Sequence, residues 1–364
     1  MSVLPVPDYP EYPRVLVRSA RIHDPRIGSH GRSLGFINLI VLKHLTRFSS
    51  CFVRGTRFVR REAPQVVIVH GIHTPFLLYA LLLRRTLPVR ICLVLTDPPG
   101  IIRHVDGPLA RRLKGLDRRL LRRLTRGFDG VIALTPALAA DFAPRVPRLI
   151  LEGFVNPHLA TTAAAHRNPD EIHVAYAGGI STEYGVRNLV EAFRTLPDRR
   201  LRLDLYGRGT LDGWVVGQCE ADARITHHGI LPHDALMPHL RAAQVLVNPR
   251  PADQLFVKYS FPSKLLEYLA LGVPVVSTRL AGIPDDDLVF LQLTVDDSVS
   301  ALAQALSLML SDLEAAESRA RRAQQYVVEH KSQAVVGARI AAFLSALETR
   351  SGATQRGTRQ RGRP

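Results

Sequence analysis

Aromatic residues make up only 6% of this 364-residue chain, and its cysteines number three: Cys51, Cys92 and Cys219. The cysteines stand far apart with no C-x-x-C spacing, which excludes a zinc knuckle or a disulfide framework and points to a reducing compartment. No stacking side chains interleave with the arginines, so nucleic acid is disfavoured as a partner despite a net charge of +16. No apolar run approaches the ~20 residues of a bilayer span; stretches such as Phe76–Leu83 fall well short. Met1–Arg14 carries Asp8, Glu11 and four prolines before its first apolar run, the wrong pattern for a signal peptide. A cytoplasmic protein without a spanning segment is expected. Ser351–Pro364 has neither aromatics nor acids and reads as a disordered basic tail.

The chain is 46% hydrophobic with glycine and proline spread throughout, the composition of a globular enzyme. Its length suits two domains, each able to bury a core. Short β-branched runs alternate with helical patterns, the signature of parallel βα units. Strands are expected at Arg14–Arg18, Gln65–Val69, Arg90–Leu95, Gly130–Leu134 and Leu149–Glu152. A second set is expected at Ile172–Ala177, Leu201–Tyr206, Arg224–His227, Val245–Asn248, Val275–Thr278 and Val289–Leu293. Asn156–Asp170 lacks apolar periodicity and reads as the linker, so the expected domains are residues 1–167 and 168–325, followed by a helix over 326–349. The expected fold is α/β, with two Rossmann-like domains whose parallel sheets face a central cleft.

Charge divides along the same line. Residues 1–165 hold 25 Lys/Arg against 10 Asp/Glu, whereas residues 166–349 hold 18 against 22. A strongly basic domain expects an anionic partner, although an arginine-rich genome would produce part of this excess with no partner at all. Within the basic half, Leu109, Leu113, Leu116, Leu120 and Leu124 recur at the spacing of one helical face, among Arg111, Arg112, Lys114, Arg118, Arg119, Arg122 and Arg123. Such a helix suits an anionic membrane surface, its leucines packing inward and its arginines facing headgroups; an ordinary solvated helix fits the pattern as well.

The most informative stretch is Ser260–Thr278, SFPSKLLEYLALGVPVVST. Pro262 suits the first helical position, Leu265, Leu266 and Leu269 point to a core, and Gly272 followed by Pro274 ends the helix before a strand. Lys264 and Glu267 then lie one turn apart on the opposite face. A helix N-terminus offers unpaired N–H groups and a positive dipole to an anion, and Lys264 adds a full charge. Glu267 can accept from the two neighbouring hydroxyls of a ribose, so a diphosphate joined to a ribose fits the pair. Taken alone, such a pair fits a surface ion pair better; it is the surrounding motif that favours the ligand-binding role.

FPSKLLEYLALGVPVVST resembles the nucleotide-sugar motif of the retaining glycosyltransferases of group 1, which have the GT-B fold. AYAGGISTEYGVRNLVEAF, LDLYGRGTL and ITHHGILPHDALMPHLRAAQVLVNPR stand in the order the family has them. The resemblance is strong over residues 172–280 and loose in the first half. It implies that Gly178 and Gly179 let the backbone approach the donor phosphates, that Gly207, Arg208 and Gly209 lie beside the nucleotide, and that the His228–Leu231 strand end lies beside the base. Lys264 would pair with the diphosphate and Glu267 with the ribose. Two positions depart from the family pattern. Tyr259 stands where many members have a second glutamate, and Ile180 and Tyr184 stand in the first glycine loop where many have a basic pair. Lys258, Arg208 and Arg250 are the candidate replacements.

In open parallel sheets the loops after the strand C-termini line the crevice. Here those loops are Arg18–Arg26 with Gly28–Gly31, His70–His73, and Thr96–Gly100. Relatives often place a histidine at the third, where this chain has Asp97. Asp97 would orient a sugar hydroxyl or act on the acceptor proton, and His70 or His73 would serve as general base; a loop-capping role suits each of them equally. The resemblance implies retention of configuration without a protein nucleophile, with Lys264 stabilising the leaving diphosphate. No D-x-D motif follows a strand, so no metal or other cofactor is expected beyond the nucleotide sugar itself. The expected acceptor is a glycan or lipid-linked molecule of surface-polysaccharide assembly, met at the inner face of a membrane. Alternatives on the same architecture are a nucleotide-sugar epimerase, which would need a carboxylate set absent from the first half, and a non-catalytic nucleotide-sugar binder.

Overall fold

The computed structural model describes residues 16–17, 20–24, 29–33, 35–37, 42–98, 107–253 and 257–359. The first strand-like segments make two small antiparallel ladders: β1 (Leu16–Val17), with β2 (Ala20–Asp24) and β3 (Ser29–Ser33) paired to each other, and β4 (Phe36–Ile37) paired to β1. The stretch read as a loop over Arg18–Gly31 therefore contains paired strand residues; Arg18, Arg26 and Gly28 themselves lie outside the described residues, as do Met1–Arg14 and Pro99–Gly100. A helical arm follows, α1 (Leu42–Ser50), a π-helical turn (Cys51–Gly55) and α2 (Thr56–Glu62).

The first domain is then built from β5 (Val66–His70), α3 (Thr74–Thr86), β6 (Arg90–Leu95), α4 (Pro108–Thr125), β7 (Gly130–Ala133), α5 (Pro136–Phe142) and β8 (Arg148–Ile150). Its four strands are parallel and lie in chain order. Helices begin where the sequence supplies a cap or a proline: Thr135 accepts from the Leu138 N–H ahead of Pro136, and prolines open α3 and α4. Leu77, Ile91, Leu93, Leu95, Val131 and Leu138 are fully buried between sheet and helices.

The second domain comprises β9 (Ile172–Ala177), α6 (Val186–Arg194), β10 (Leu201–Tyr206), α7 (Asp212–Ala221), β11 (Ile225–Gly229), α8 (His233–Arg241), β12 (Val245–Asn248), α9 (Ser263–Leu271), β13 (Val275–Ser277), α10 (Asp285–Leu288), β14 (Gln292–Leu293), α11 (Val299–Ser311), α12 (Leu313–Lys331) and α13 (Gln333–Arg359). All six strands are parallel in the order β11-β10-β9-β12-β13-β14. That order reverses direction between β9 and β12, the place where doubly wound sheets open a ligand crevice beyond their strand ends.

Two expectations are corrected here. The chain passes between domains near Glu152–Val155 rather than at residue 168, because Val155 and Leu159 already belong to the second core and Arg167 is tied to Asp204 of β10. The return passage is at Lys331–Gln333 rather than 326: Val155 N–H donates to Lys331 O at 2.8 Å and Gln333 N–H to Val155 O at 3.2 Å. Lys331, itself buried, has its ammonium 2.7 Å from buried Asp287 and 3.7 Å from Glu152, so an ion cluster sits beside both passages.

Helix α13 then lies on the first domain, where its Val336 and Leu347 pack against Cys92, Ile132 and Leu151. Gly130 permits this, since a Cβ there would stand 2.4 Å from Leu347. The helix runs on to Arg359, so much of the segment read as a disordered tail is helical.

Candidate active site

Glycines at the ends of β9 and β10 let two turns interlock. Gly207, at φ +135°, places its α-carbon where a Cβ would lie 1.8 Å from Gly178 O, and a Cβ on Gly209 would lie 2.2 Å from Ile180 O. Gly178 N–H donates to Tyr206 O at 2.9 Å and Ile180 N–H to Arg208 O at 3.0 Å, which fixes Gly178, Gly179, Gly207 and Arg208 side by side. Gly207→Ala combines a backbone clash with a strained φ, costing at least about 1–3 kcal/mol. A clear loss of thermal stability is expected in a calorimetric scan; an unchanged Tm would contradict the close approach.

Across the switch point, Gly185 at φ +76° sits under Pro249 O, bringing the loop after β12 against the loop after β9. Arg250 is held there with its guanidinium 4.9 Å above the Tyr184 ring and 3.3 Å from Ser260 Oγ. Burial draws its pKa below the ordinary arginine value, and a guanidinium stays charged at neutral pH all the same. From Ser260 the chain enters α9, whose Leu265, Leu266 and Leu269 are buried as the apolar spacing requires. Lys264 and Glu267 project from the opposite face, 3.1 Å apart, and His233 of α8 lies 3.6 Å from the other Glu267 oxygen. Lys264, Glu267, Arg250 and the two glycine turns thus all follow the C-terminal ends of β9, β10 and β12, beside the switch point.

The other sequence-selected residues lie elsewhere. The Tyr259 hydroxyl donates to Asp141 of α5 at 2.6 Å and its ring meets Phe142 edge-on, while Lys258 stands 3.1 Å from the same carboxylate. The Tyr259 bond holds Asp141 below the usual carboxylate range. Tyr259 and Lys258 therefore bridge the two domains, and Arg250 is the candidate cation left beside the glycine loop. His73 precedes α3 and Asp97 follows β6, both exposed at strand ends of the first domain; Asp97 accepts from Thr96 at 3.0 Å. The domains approach each other on this side, with Thr135 at 3.4 Å from a Cβ built on Gly282.

Two family profiles match the chain: glycosyl transferases group 1 over residues 171–312 and the glycosyl transferase 4-like domain over residues 2–150. Together they span most of its length. The chain belongs to the group 1 glycosyltransferases. Among curated proteins it is 25% identical over 232 residues to a glycogen synthase of Mycobacterium tuberculosis, covering 61% of this chain and 54% of that one. It is 30% identical over 184 residues to a D-inositol 3-phosphate glycosyltransferase of Arthrobacter, covering 44% and 42%. The matches thus span about half of these relatives' own length or less. Among solved structures, sucrose-phosphate synthase from Thermosynechococcus elongatus aligns at TM-score 0.67 and 16% identity over 99% of this chain and 89% of that one. HepE of Anabaena in complex with UDP aligns at TM-score 0.63 and 16% identity over 85% of each. The fold is GT-B.

Sequence reasoning missed the polar cluster beneath the second glycine turn. Asp204 of β10, almost wholly buried, accepts from His173 at 2.7 Å, His228 at 2.6 Å and Arg167 at 2.9 Å. Burial pushes its carboxyl up, but hydrogen bonds from His173 and His228 and the charge of Arg167 outweigh that and hold it well below the usual range. His228 stacks on Tyr206 at 4.5 Å, and His227 reaches Gly207 O at 3.0 Å, so the cluster buttresses the second glycine turn. An aspartate inside an apolar strand, in LDLY, is the signal that marks it. Tyr268 is a second support, its hydroxyl 2.9 Å from Ala177 N and 3.2 Å from Ala177 O just before the Gly178 turn.

Proposed function

We propose that the protein transfers a sugar from a nucleoside diphosphate sugar to an acceptor with retention of configuration, in polysaccharide or glycolipid assembly. The observation that carries this reading is the convergence of Gly178–Gly179, Arg250, Lys264 and Glu267 at the switch point of the second sheet. Backbone N–H groups and two cations there suit a diphosphate, and Glu267 suits the ribose once His233 and Lys264 yield an oxygen. As the glycosidic bond to the leaving phosphate breaks, negative charge grows on the diphosphate, and Lys264 with Arg250 meets it. The proposal needs no divalent metal. Asp97 and His73, from the facing domain, are the groups proposed to position the acceptor and receive its proton. The UDP complex of HepE supports a uridine donor among the candidates, and the basic first domain supports an anionic or lipid-linked acceptor at the inner membrane face.

The test is release of nucleoside diphosphate from a panel of UDP-, GDP- and ADP-sugars. One donor is expected to turn over, faster when membrane lipid extract supplies the acceptor. Saturable donor binding with no turnover under any condition would favour the non-catalytic binder.

A further inference from the structure

Two leucines of the helix read as amphipathic, Leu116 and Leu120, face outward rather than inward. Among the described leucines of α4, Leu121 is buried and Leu124 packs against the same core, whereas Leu116 and Leu120 are 59% and 42% exposed. They are not alone. On α3, Leu78 and Leu82 also face outward, and in the π-helical turn Phe52 and Val53 do the same. These segments are neighbours: Thr74 of α3 donates to Asp117 of α4 at 2.6 Å, and the Phe52 ring meets Tyr79 of α3 edge-on at 6.1 Å. The outward apolar pairs thus stand on three adjoining segments of the first domain's surface.

That face is also intensely basic. Residues 42–62, 74–86 and 108–125 together hold 15 Lys/Arg and 2 Asp/Glu. Of the two acids, Asp117 accepts from Thr74 and Glu62 pairs with Arg61. The arginines of α4 divide by role. Arg118 and Arg122 lie over the Phe142 ring at 5.5 and 5.4 Å and brace α5, while Arg112, Arg119 and Arg123 are exposed around Leu116 and Leu120.

We propose that this face docks on an anionic lipid bilayer, its leucines, Phe52 and Val53 entering the headgroup–acyl boundary and its exposed arginines meeting lipid phosphates. Exposed aliphatic side chains ringed by guanidinium groups are what an interfacial helix presents to a membrane. A nucleic acid would instead be met by stacking aromatics, and Phe52 is the only aromatic among the six outward side chains named. The acidic balance of the second domain sets the orientation, because it keeps that domain off a negative surface. The inference deepens the membrane-apposed placement proposed above and is independent of donor turnover.

The experiment is flotation of the full chain with phosphatidylcholine vesicles and with mixed phosphatidylcholine–phosphatidylglycerol vesicles, in low and high salt. Wild type is compared with Leu116→Ser/Leu120→Ser and with Arg119→Gln/Arg123→Gln, and with an Arg118→Gln/Arg122→Gln control. Stronger binding to the mixed vesicles is expected, weakened by salt and reduced about thirtyfold by the Arg119/Arg123 pair, at about a decade or less per charge. The leucine pair is expected to reduce it in high salt as well. Because the substituted groups are exposed, nucleoside diphosphate binding should persist in both variants, which separates failure of the surface from failure of the donor site. Equal binding to both vesicle types, unchanged binding of both variants, or stronger retention on RNA than on mixed vesicles would overturn the proposal.

Discussion

Lys264→Ala is expected to lower turnover by about 10²–10³-fold, the effect of removing one preorganised electrostatic group from a developing charge. Lys264 stands in the first turn of α9, half-exposed, with its ammonium 3.1 Å from Glu267. In the resting protein the pair is an ordinary i, i+3 contact worth a few tenths of a kcal/mol, so the variant should fold with little change in Tm. On the proposed reading, the same ammonium would face charge that grows on a bound diphosphate as the sugar departs. The loss should therefore fall on kcat as well as on donor affinity. Glu267→Ala should behave differently, raising the donor KM with a smaller change in kcat, because a ribose contact is the same in ground and transition states. Steady-state kinetics of the two variants distinguish these patterns; a Lys264→Ala enzyme with unaltered kcat would remove that residue from leaving-group stabilisation.

Asp204→Asn is expected to destabilise the second domain by about 3–5 kcal/mol, since it leaves a buried cation without its counter-charge. The substitution keeps the shape but removes the negative charge that Arg167, His173 and His228 share. The pH dependence follows from the direction of the shift. The folded carboxyl is held below its unfolded value, so its contribution is full above the usual carboxylate range and is lost as pH falls through that range toward the folded value. The stability gap between wild type and variant should accordingly be wide at pH 7 and narrow only in strong acid. Urea titrations across pH test this, and a gap that stayed constant into strong acid, or was absent at pH 7, would contradict it. The variant should also weaken nucleotide binding, because His227 and His228 flank the Gly207 turn.

Most of the second domain is legible in the sequence because its signals are local. The strands over Ile172–Ala177, Leu201–Tyr206 and Val245–Asn248 read directly from short apolar runs. The α9 signature places Lys264 and Glu267 on one face through helical spacing alone. What stayed hidden depends on contacts distant in the chain. Asp204 meets His173 and His228 only through the β9-β10-β11 register. Tyr259 reaches Asp141 across the domain junction, so its departure from the family pattern looks from sequence like a change in sugar contact rather than a bridge between domains. The leucine stripe of α4 has the right period, but the side of the helix that meets the sheet is set by how the crossover lays it down: Leu121 and Leu124 pack on the core while Leu116 and Leu120 face outward. The passage between domains at Val155 was likewise obscured, since the polar stretch after it is pinned to the second domain by Leu159 and Arg167.

The central claim is that a nucleoside diphosphate sits between the Gly178–Gly179 turn and the start of α9. Calorimetric titration of wild type and Lys264→Ala with UDP, GDP and ADP tests it most directly. The account predicts one saturable site for one of these nucleotides in wild type, with affinity lowered at least about tenfold in the variant, as loss of a charge-assisted contact of about 1.5–3 kcal/mol requires. Equal affinity in both proteins, or no binding of any nucleotide to wild type, would contradict it.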